Sequence, residues 1–227
     1  MSSPIVEKEK GLIEKSLINI HQRASHNNRV NILSKLLGDR IDSLFENKKE
    51  TRCIDIGCGD MTIAENIAIV NTKTNWTCID IHKLPEELKD SEKWKKYKQF
   101  DGTTIPFENN SFDCALFCDV LHHISHDLTP LITEAARVAS VVIIKDHFEY
   151  GFYSRNMLKL MDFVGNWGYG VSIPEYYFTQ KNFELLCSQS GLKIAEITVG
   201  IDLYSHLPFV RNVLSPNWQF ISVLKQQ

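Results

Sequence analysis

Between residues 51 and 146 the chain alternates short apolar runs with stretches of helical spacing, and that alternation confines it to few architectures. Thr51–Ile56 reads as a strand stopped by Gly57-Cys58-Gly59-Asp60, Thr62–Val70 as a helix, and Asn75–Ile81 as a second strand. A charged helix is expected around Pro85–Lys95, with Pro85 suited to its first turn, then a strand near Tyr97–Phe100. Phe112–Cys118 is almost wholly apolar, as suits a strand buried on both faces of a parallel sheet. Leu128–Val138 reads as a helix and Ser140–Lys145 as a strand. The pattern predicts a doubly wound α/β sheet. Cys-Ile-Asp-Ile occurs at 53–56 and again at 78–81, consistent with adjacent parallel strands of one β-α-β unit.

The flanks read differently. Residues 5–24 and 28–46 carry helical spacing (Ile13, Leu17, Ile20; then Val30, Leu33, Leu37, Ile41, Leu44), which predicts an N-terminal helical cap over 1–48, with Gly38-Asp39 as a place where the second helix can break. After the core of 49–146, the segment 147–178 holds ten aromatic residues from Phe148 to Phe178, interrupted by Gly151, Gly165, Gly168 and Gly170. It is expected to wall the substrate side, the alternative being the core of an accessory helix or a homodimer contact. Residues 179–227 read as a helix (Lys181–Ser190), a stop at Gly191, and strands at Leu192–Val199 and Gln219–Leu224. All of this fits one domain of 227 residues, 43% hydrophobic and 23% charged.

Composition narrows the partners. A net charge of −3 gives no basic surplus for a nucleic-acid backbone, and the run Lys93, Lys95, Lys96, Lys98 reads as a solvated edge. No apolar stretch is long enough to cross a membrane and the N-terminus has no apolar signal core, so the expectation is a cytoplasmic protein. The six cysteines include no C-x-x-C pair. His122, His126 and Asp127 have helical spacing but no further carboxylate, so no metal is expected.

The chemistry concentrates at strand ends. In Asp55-Ile56-Gly57-Cys58-Gly59-Asp60 the glycines let the backbone turn sharply and approach a ligand, beyond the carboxyl ends of the strands where open α/β sheets bind. Asp80 ends the next strand 21 residues after Gly59, where a carboxylate can accept bonds from both ribose hydroxyls. A dinucleotide fingerprint needs a third glycine where this chain has Thr62, which argues against a nucleotide-cofactor oxidoreductase. Asp60 at the helix start would oppose a pyrophosphate but could accompany a cationic sulfonium and amino group; its plainer role is a helix cap. Phe100-Asp101-Gly102 ends the third strand, and the fourth ends in Phe117-Cys118-Asp119-Val120-Leu121-His122-His123.

With these four motifs in order, the sequence resembles the class I S-adenosylmethionine-dependent methyltransferases, in the broad small-molecule group that includes ubiquinone/menaquinone-biosynthesis-like enzymes. The resemblance is detailed over about 51–146 and looser beyond. It implies a mostly parallel seven-stranded Rossmann-like sheet closed by an antiparallel C-terminal hairpin. It implies S-adenosylmethionine as cofactor, S-adenosylhomocysteine as product, and a small-molecule acceptor. Asp55, Gly57, Cys58, Gly59 and Asp60 would bind the methionine half, Asp80 the ribose, with Ile81 and His82 against the adenine. Asp101 would accept the adenine amino group beside Gly102, and Asp119 and Val120 would flank the methionine end. The family often has a third glycine near 61 or 62, where this chain has Met61 and Thr62.

Candidate bases lie at two strand ends expected to face one crevice: His122 and His123 after the fourth, Asp146 and His147 after the fifth. Arg29, at the junction of the N-terminal helices, could pair with the methionine carboxylate. Arg155, Asp162 and Asn166 are polar among apolar neighbours and, with Tyr176 and Tyr177, are the expected acceptor contacts. A protein methyltransferase, or a non-catalytic module that binds the cofactor, are the alternatives. No Asn/Asp-Pro-Pro-Tyr-type motif of nucleic-acid amino-methylating enzymes follows the fourth strand.

Overall fold

The computed structural model describes residues 27–165, 174, 176–204 and 213–227. The first element is a helix, α1, over 27–44. Then follow β1 (Thr51–Ile56), α2 (Thr62–Val70), β2 (Thr74–Asp80), α3 (Glu92–Lys96), β3 (Tyr97–Gln99), β4 (Phe112–Cys118), α4 (Thr129–Val138), β5 (Ala139–His147), α5 (Phe152–Gly165), α6 (Gln180–Gln189), β6 (Leu192–Val199) and β7 (Gln219–Gln226). The strands form one seven-stranded sheet in the order β3-β2-β1-β4-β5-β7-β6. Neighbours from β3 to β5 are parallel, while β7 runs antiparallel to both β5 and β6. This is the doubly wound sheet with an antiparallel closing hairpin that the sequence predicts.

Both sheet faces are covered. On one, Ile54, Ile56, Ala115, Phe117, Val142 and Ile144 pack with Leu131 and Ala135 of α4 and Phe183 of α6. On the other, Cys53, Cys78, Cys114, Leu116 and Ile143 meet Leu33, Leu37 and Ile41 of α1 and Ala64 and Ile67 of α2. Side chains alternate across a strand, so β4, buried along six of its seven residues, feeds both layers and is apolar except for Asp113, which pairs with Lys48 and accepts from the Arg52 amide. Cys53, Cys78 and Cys114 are free thiols, fully buried, serving as small apolar residues. No helix among the described residues is long and apolar enough to cross a membrane.

Four local readings need correction. The helix expected over Pro85–Lys95 is a single 3-10 turn, Glu86–Leu88, followed by the short α3; Ser91 accepts from the Trp94 amide and starts a new helix instead of continuing the old one. Helix α1 runs through Gly38-Asp39 without a break: the bare Gly38 lies against Ile67 and Val70 of α2, so tertiary packing outweighs its poor helix propensity. Strand β5 continues past Lys145 to His147, because β7 pairs Phe220 with Asp146 and Gln219 with His147. For the same reason β7 itself extends beyond Leu224 to Gln226, paired with Leu192.

Candidate functional site

The chain builds the sheet outward on one side of β1 and then returns to β4 on the other. The switch between β1 and β4 opens a crevice at the carboxyl ends of the parallel strands. The tips that reach it are the 55–60 turn, Asp80, Asp119-Val120 and Asp146-His147.

The turn after β1 is held by the Gly57 and Cys58 amides, both donating to the Ile79 carbonyl, at 2.8 and 3.2 Å. Gly57 has φ 76 and a Cβ there would lie 2.3 Å from Val120 Cγ2, so only glycine lets the β4 tip close on this turn. Gly59 also has positive φ, 53, but a Cβ there would meet nothing within 4 Å among the described residues, which leave open space beside the backbone. Met61, at the place of the family's third glycine, adopts φ 68. That conformation costs a side-chain-bearing residue about 1–2 kcal/mol. Complete burial of its side chain in the α1–α2 layer contributes about as much or more in the other direction.

Asp80 is 92% shielded, and its two carboxylate oxygens accept from the Gly59 amide at 2.9 Å and the His82 amide at 3.0 Å. Each oxygen can accept a further hydrogen bond. Ile81 stands exposed on the rim, and Gly102 packs so near that a Cβ would come 3.1 Å from Ile81 Cγ2. An exposed apolar face beside a ribose-type carboxylate fits an adenosyl group. Asp101 is exposed and its Oδ1 accepts from the Thr103 and Thr104 amides at 2.8 and 2.7 Å, which hold its carboxyl below the usual range. Asp60 is not the helix cap expected of it: the N-cap of α2 is Met61, and Asp60 lies one residue earlier, where its Oδ1 accepts from the Thr62 amide at 3.0 Å and closes a turn. His82 is exposed, its carbonyl accepting from the Tyr97 hydroxyl.

Asp55 is buried under the turn. Burial pushes its carboxyl up to about 7, with the nearby Asp80 and Asp60 adding to the rise. An unfolded aspartate ionises near pH 4, so between about 4 and 7 the unfolded chain loses a proton the folded chain keeps, and stability falls as pH rises. The expected result for Asp55→Asn is a melting-temperature difference from wild type that grows in the variant's favour between pH 4.5 and 7.5. Parallel thermal-unfolding curves check it.

Asp119, in the left-handed region at φ 56, is the centre of a second group. It pairs with Arg29 from α1 and with Lys145 from β5. Burial opposes its charge, but Lys145 and Arg29 hold the carboxyl far below the usual range. Lys145 is wholly buried and also donates to Gln219 Oε1 at 2.6 Å. One residue on, Asp146 is equally buried: Oδ1 lies 2.6 Å from His122 Nδ1 and accepts from the His147 amide at 2.7 Å. Burial works against a charged His122, yet Asp146, with Asp162 and Asp119, outweighs it and raises the imidazole. His147 is shifted the other way, by burial and by Lys145, and rests as a neutral ring. Among the described residues, His122 Nε2, Asp146 Oδ2 and His147 Nδ1 are buried without a hydrogen-bond partner.

The aromatic segment closes over this cluster. Tyr177 is buried, its ring 5.4 Å from that of His122 and 6.1 Å from that of His147, and its hydroxyl donates to Asp162 of α5. Tyr176 is exposed, with the Arg155 guanidinium 5.3 Å from its ring centre. Arg155 forms a two-pronged pair with buried Glu149, which also accepts from the Tyr177 amide, so it anchors the segment to α5. An open groove of about 280 Å³, lined in part by Leu121, Leu128, Tyr176 and Tyr177, borders the cluster at His122. Asn166 lies outside the described residues.

The structure thus brings the expected residues into two adjoining groups, around Asp80 and around Asp119–Asp146. Asp101 and His82 stand on the outer rim of the first. Sequence reasoning missed Lys145, Gln219 and Glu149. The available signal was the polar trio Lys145-Asp146-His147 continuing an apolar strand, where burial would force each charge to find a partner.

Comparison with known proteins agrees with this geometry. Residues 54–141 match the family model described as a methyltransferase domain. These residues form a methyltransferase domain. Domains of this class use S-adenosylmethionine, and the open space at Gly59, the Asp80 carboxylate and the exposed Ile81 fit that cofactor. The methyltransferase resembles a methyltransferase from Aquifex aeolicus at 15% identity, covering 83% of this chain and 90% of that one, with a TM-score of 0.53. It resembles a Galdieria sulphuraria protein assigned as a sarcosine dimethylglycine methyltransferase at 15% identity, over 85% and 84%, with a TM-score of 0.61. It also resembles the [4+2]-cyclase SpnF at 13% identity, over 84% and 80%, with a TM-score of 0.55. At these identities the likeness establishes the fold. No curated protein matches the chain.

Proposed function

We propose that this methyltransferase methylates a small molecule admitted through the groove beneath Tyr176 and Tyr177. The observation that carries this reading is the buried His122–Asp146–His147 cluster, bordered at His122 by a groove of about 280 Å³. That volume lies at the lower end of ligand pockets and suits a compact acceptor better than a macromolecular surface.

Bound S-adenosylmethionine supplies an electrophilic methyl group for in-line displacement by the acceptor. Asp80 would hold the ribose and Ile81 with Gly102 would support the adenine, with Asp101 and His82 as further candidates for that end. The turn from Asp55 to Asp60, with Gly57, Cys58 and Gly59, receives the methionine half. Asp119 and Val120 bound that end, and Arg29 offers a cation to the methionine carboxylate. Positioning of this kind can supply most of the rate of a displacement. Where the acceptor must lose a proton, His147 is the base: it is neutral at rest, and the Asp146 side chain held by its own amide fixes the strand tip.

His147→Ala should lower turnover about 10²–10⁴-fold while S-adenosylhomocysteine affinity stays within about twofold. Turnover equal to wild type on an identified acceptor would remove His147 from the mechanism. The acceptor class is tested by incubating the protein with methyl-labelled S-adenosylmethionine and separated cell fractions. Label should enter the low-molecular-weight fraction; label confined to protein would favour a protein methyltransferase.

A further inference from the structure

His122 sits in the turn Leu121–His123 after β4, with a side chain 1% exposed. Its Nδ1 is engaged by Asp146 Oδ1 at 2.6 Å, while Nε2 is buried and has no hydrogen-bond partner among the described residues. Nε2 lies 3.6 Å from Asp162 Oδ2, too far for a hydrogen bond. The His123 ring stands beside it, 4.2 Å between centroids, and His122, His123 and Asp162 each offer a ligand atom within 4.8 Å of the others.

Three separate features of this trio match a metal centre. Metal-bound histidines almost always give their other ring nitrogen to a carboxylate, as His122 does to Asp146. The ligating carboxylate is itself usually held, as Asp162 is by the Tyr177 hydroxyl. Two bonds of about 2.0–2.1 Å at a tetrahedral angle separate their donor atoms by about 3.4 Å, close to the 3.6 Å seen here. A bridging water about 2.8 Å from each atom would have to span them at an angle well below tetrahedral. Asp146 and Asp162 also bring two negative charges, which a dication balances.

We propose that His122 Nε2, His123 and Asp162 bind a divalent transition-metal ion of the zinc class. Imidazole with one carboxylate selects zinc, cobalt, nickel or iron over magnesium or calcium. Three protein donors leave a further position, and the groove past His122 and Tyr177 gives it access to an acceptor oxygen. A second trio, His122, Asp146 and His147, also converges within 4.8 Å, but using it would break the bond between His122 and Asp146. The spacing of His122, His126 and Asp127 in the sequence did not reveal this site, because Asp162 arrives from α5, 40 residues away.

The full chain, treated with chelator and dialysed, is titrated with Co²⁺ while visible absorption is followed. One equivalent should produce the d–d bands of a four- or five-coordinate ion, and Zn²⁺ should displace it. Asp162→Asn and His123→Asn should each weaken binding at least tenfold, with folding checked by circular dichroism. No saturable binding to the wild-type chain at millimolar Co²⁺ overturns the proposal, whatever the variants do. So does unchanged affinity in both folded variants. Binding of S-adenosylhomocysteine, measured in the same samples, reports on the donor site separately.

Discussion

Asp80→Ala should weaken S-adenosylhomocysteine binding by about 10²–10⁴-fold while the chain still folds. Two charge-assisted hydrogen bonds to ribose hydroxyls, each worth about 1.5–3 kcal/mol, disappear with the carboxylate. The same substitution releases the Gly59 and His82 amides, which Asp80 now accepts, so the turn that shapes the pocket loosens as well. The fold should survive because Asp80 is the last residue of β2, and its strand pairing to β1 and β3 is made by backbone. Calorimetric titration with S-adenosylhomocysteine checks the affinity, and far-ultraviolet circular dichroism the fold. Asp80→Asn, which keeps an acceptor oxygen, should lose less.

Lys145→Met should be the most destabilising single change near the site, by about 3 kcal/mol. Removing one partner of a buried ion pair leaves the other charge uncompensated, at a cost of about 3–5 kcal/mol. Here Arg29 still faces Asp119, which puts the effect at the lower end, while Gln219 Oε1 loses its donor. For a chain of this length that corresponds to a fall in melting temperature of roughly 6–12 °C. Asp119→Asn should then cost less in the Lys145→Met background than in the wild type, since the two share one interaction. A shift below about 2 °C would mean that the lysine is hydrated in solution.

Much of the fold is legible in the sequence, because parallel strands buried on both faces leave nearly continuous apolar runs such as Phe112–Cys118, broken only by Asp113. The glycine turn and Asp80 are legible for a related reason: they close local geometry, a turn and the strand end beside it. What the sequence conceals is made by distant partners. Nothing near Lys145 announces Gln219, 74 residues on, or Arg29 reaching Asp119 across 90. The pairing of His122 with Asp146 joins the tips of neighbouring strands, so their separate nomination as bases contained the residues but not the bond. Local chemistry can also mislead. The charges of 85–95 suggest one helix, yet Ser91 caps a fresh one. Polar Asp146 and His147 suggest a strand end, yet β7 pairs with both. Arg155 was expected at the acceptor and is tied to Glu149.

The most direct test is a crystal structure of the protein with S-adenosylhomocysteine. The ribose hydroxyls should lie within hydrogen-bond distance of the Asp80 carboxylate, with the adenine against Ile81 and the homocysteine between Gly57 and Asp119. Finding the molecule bound elsewhere, or the Asp80 oxygens still closed on backbone amides alone with the ligand soaked to saturation, would contradict the account.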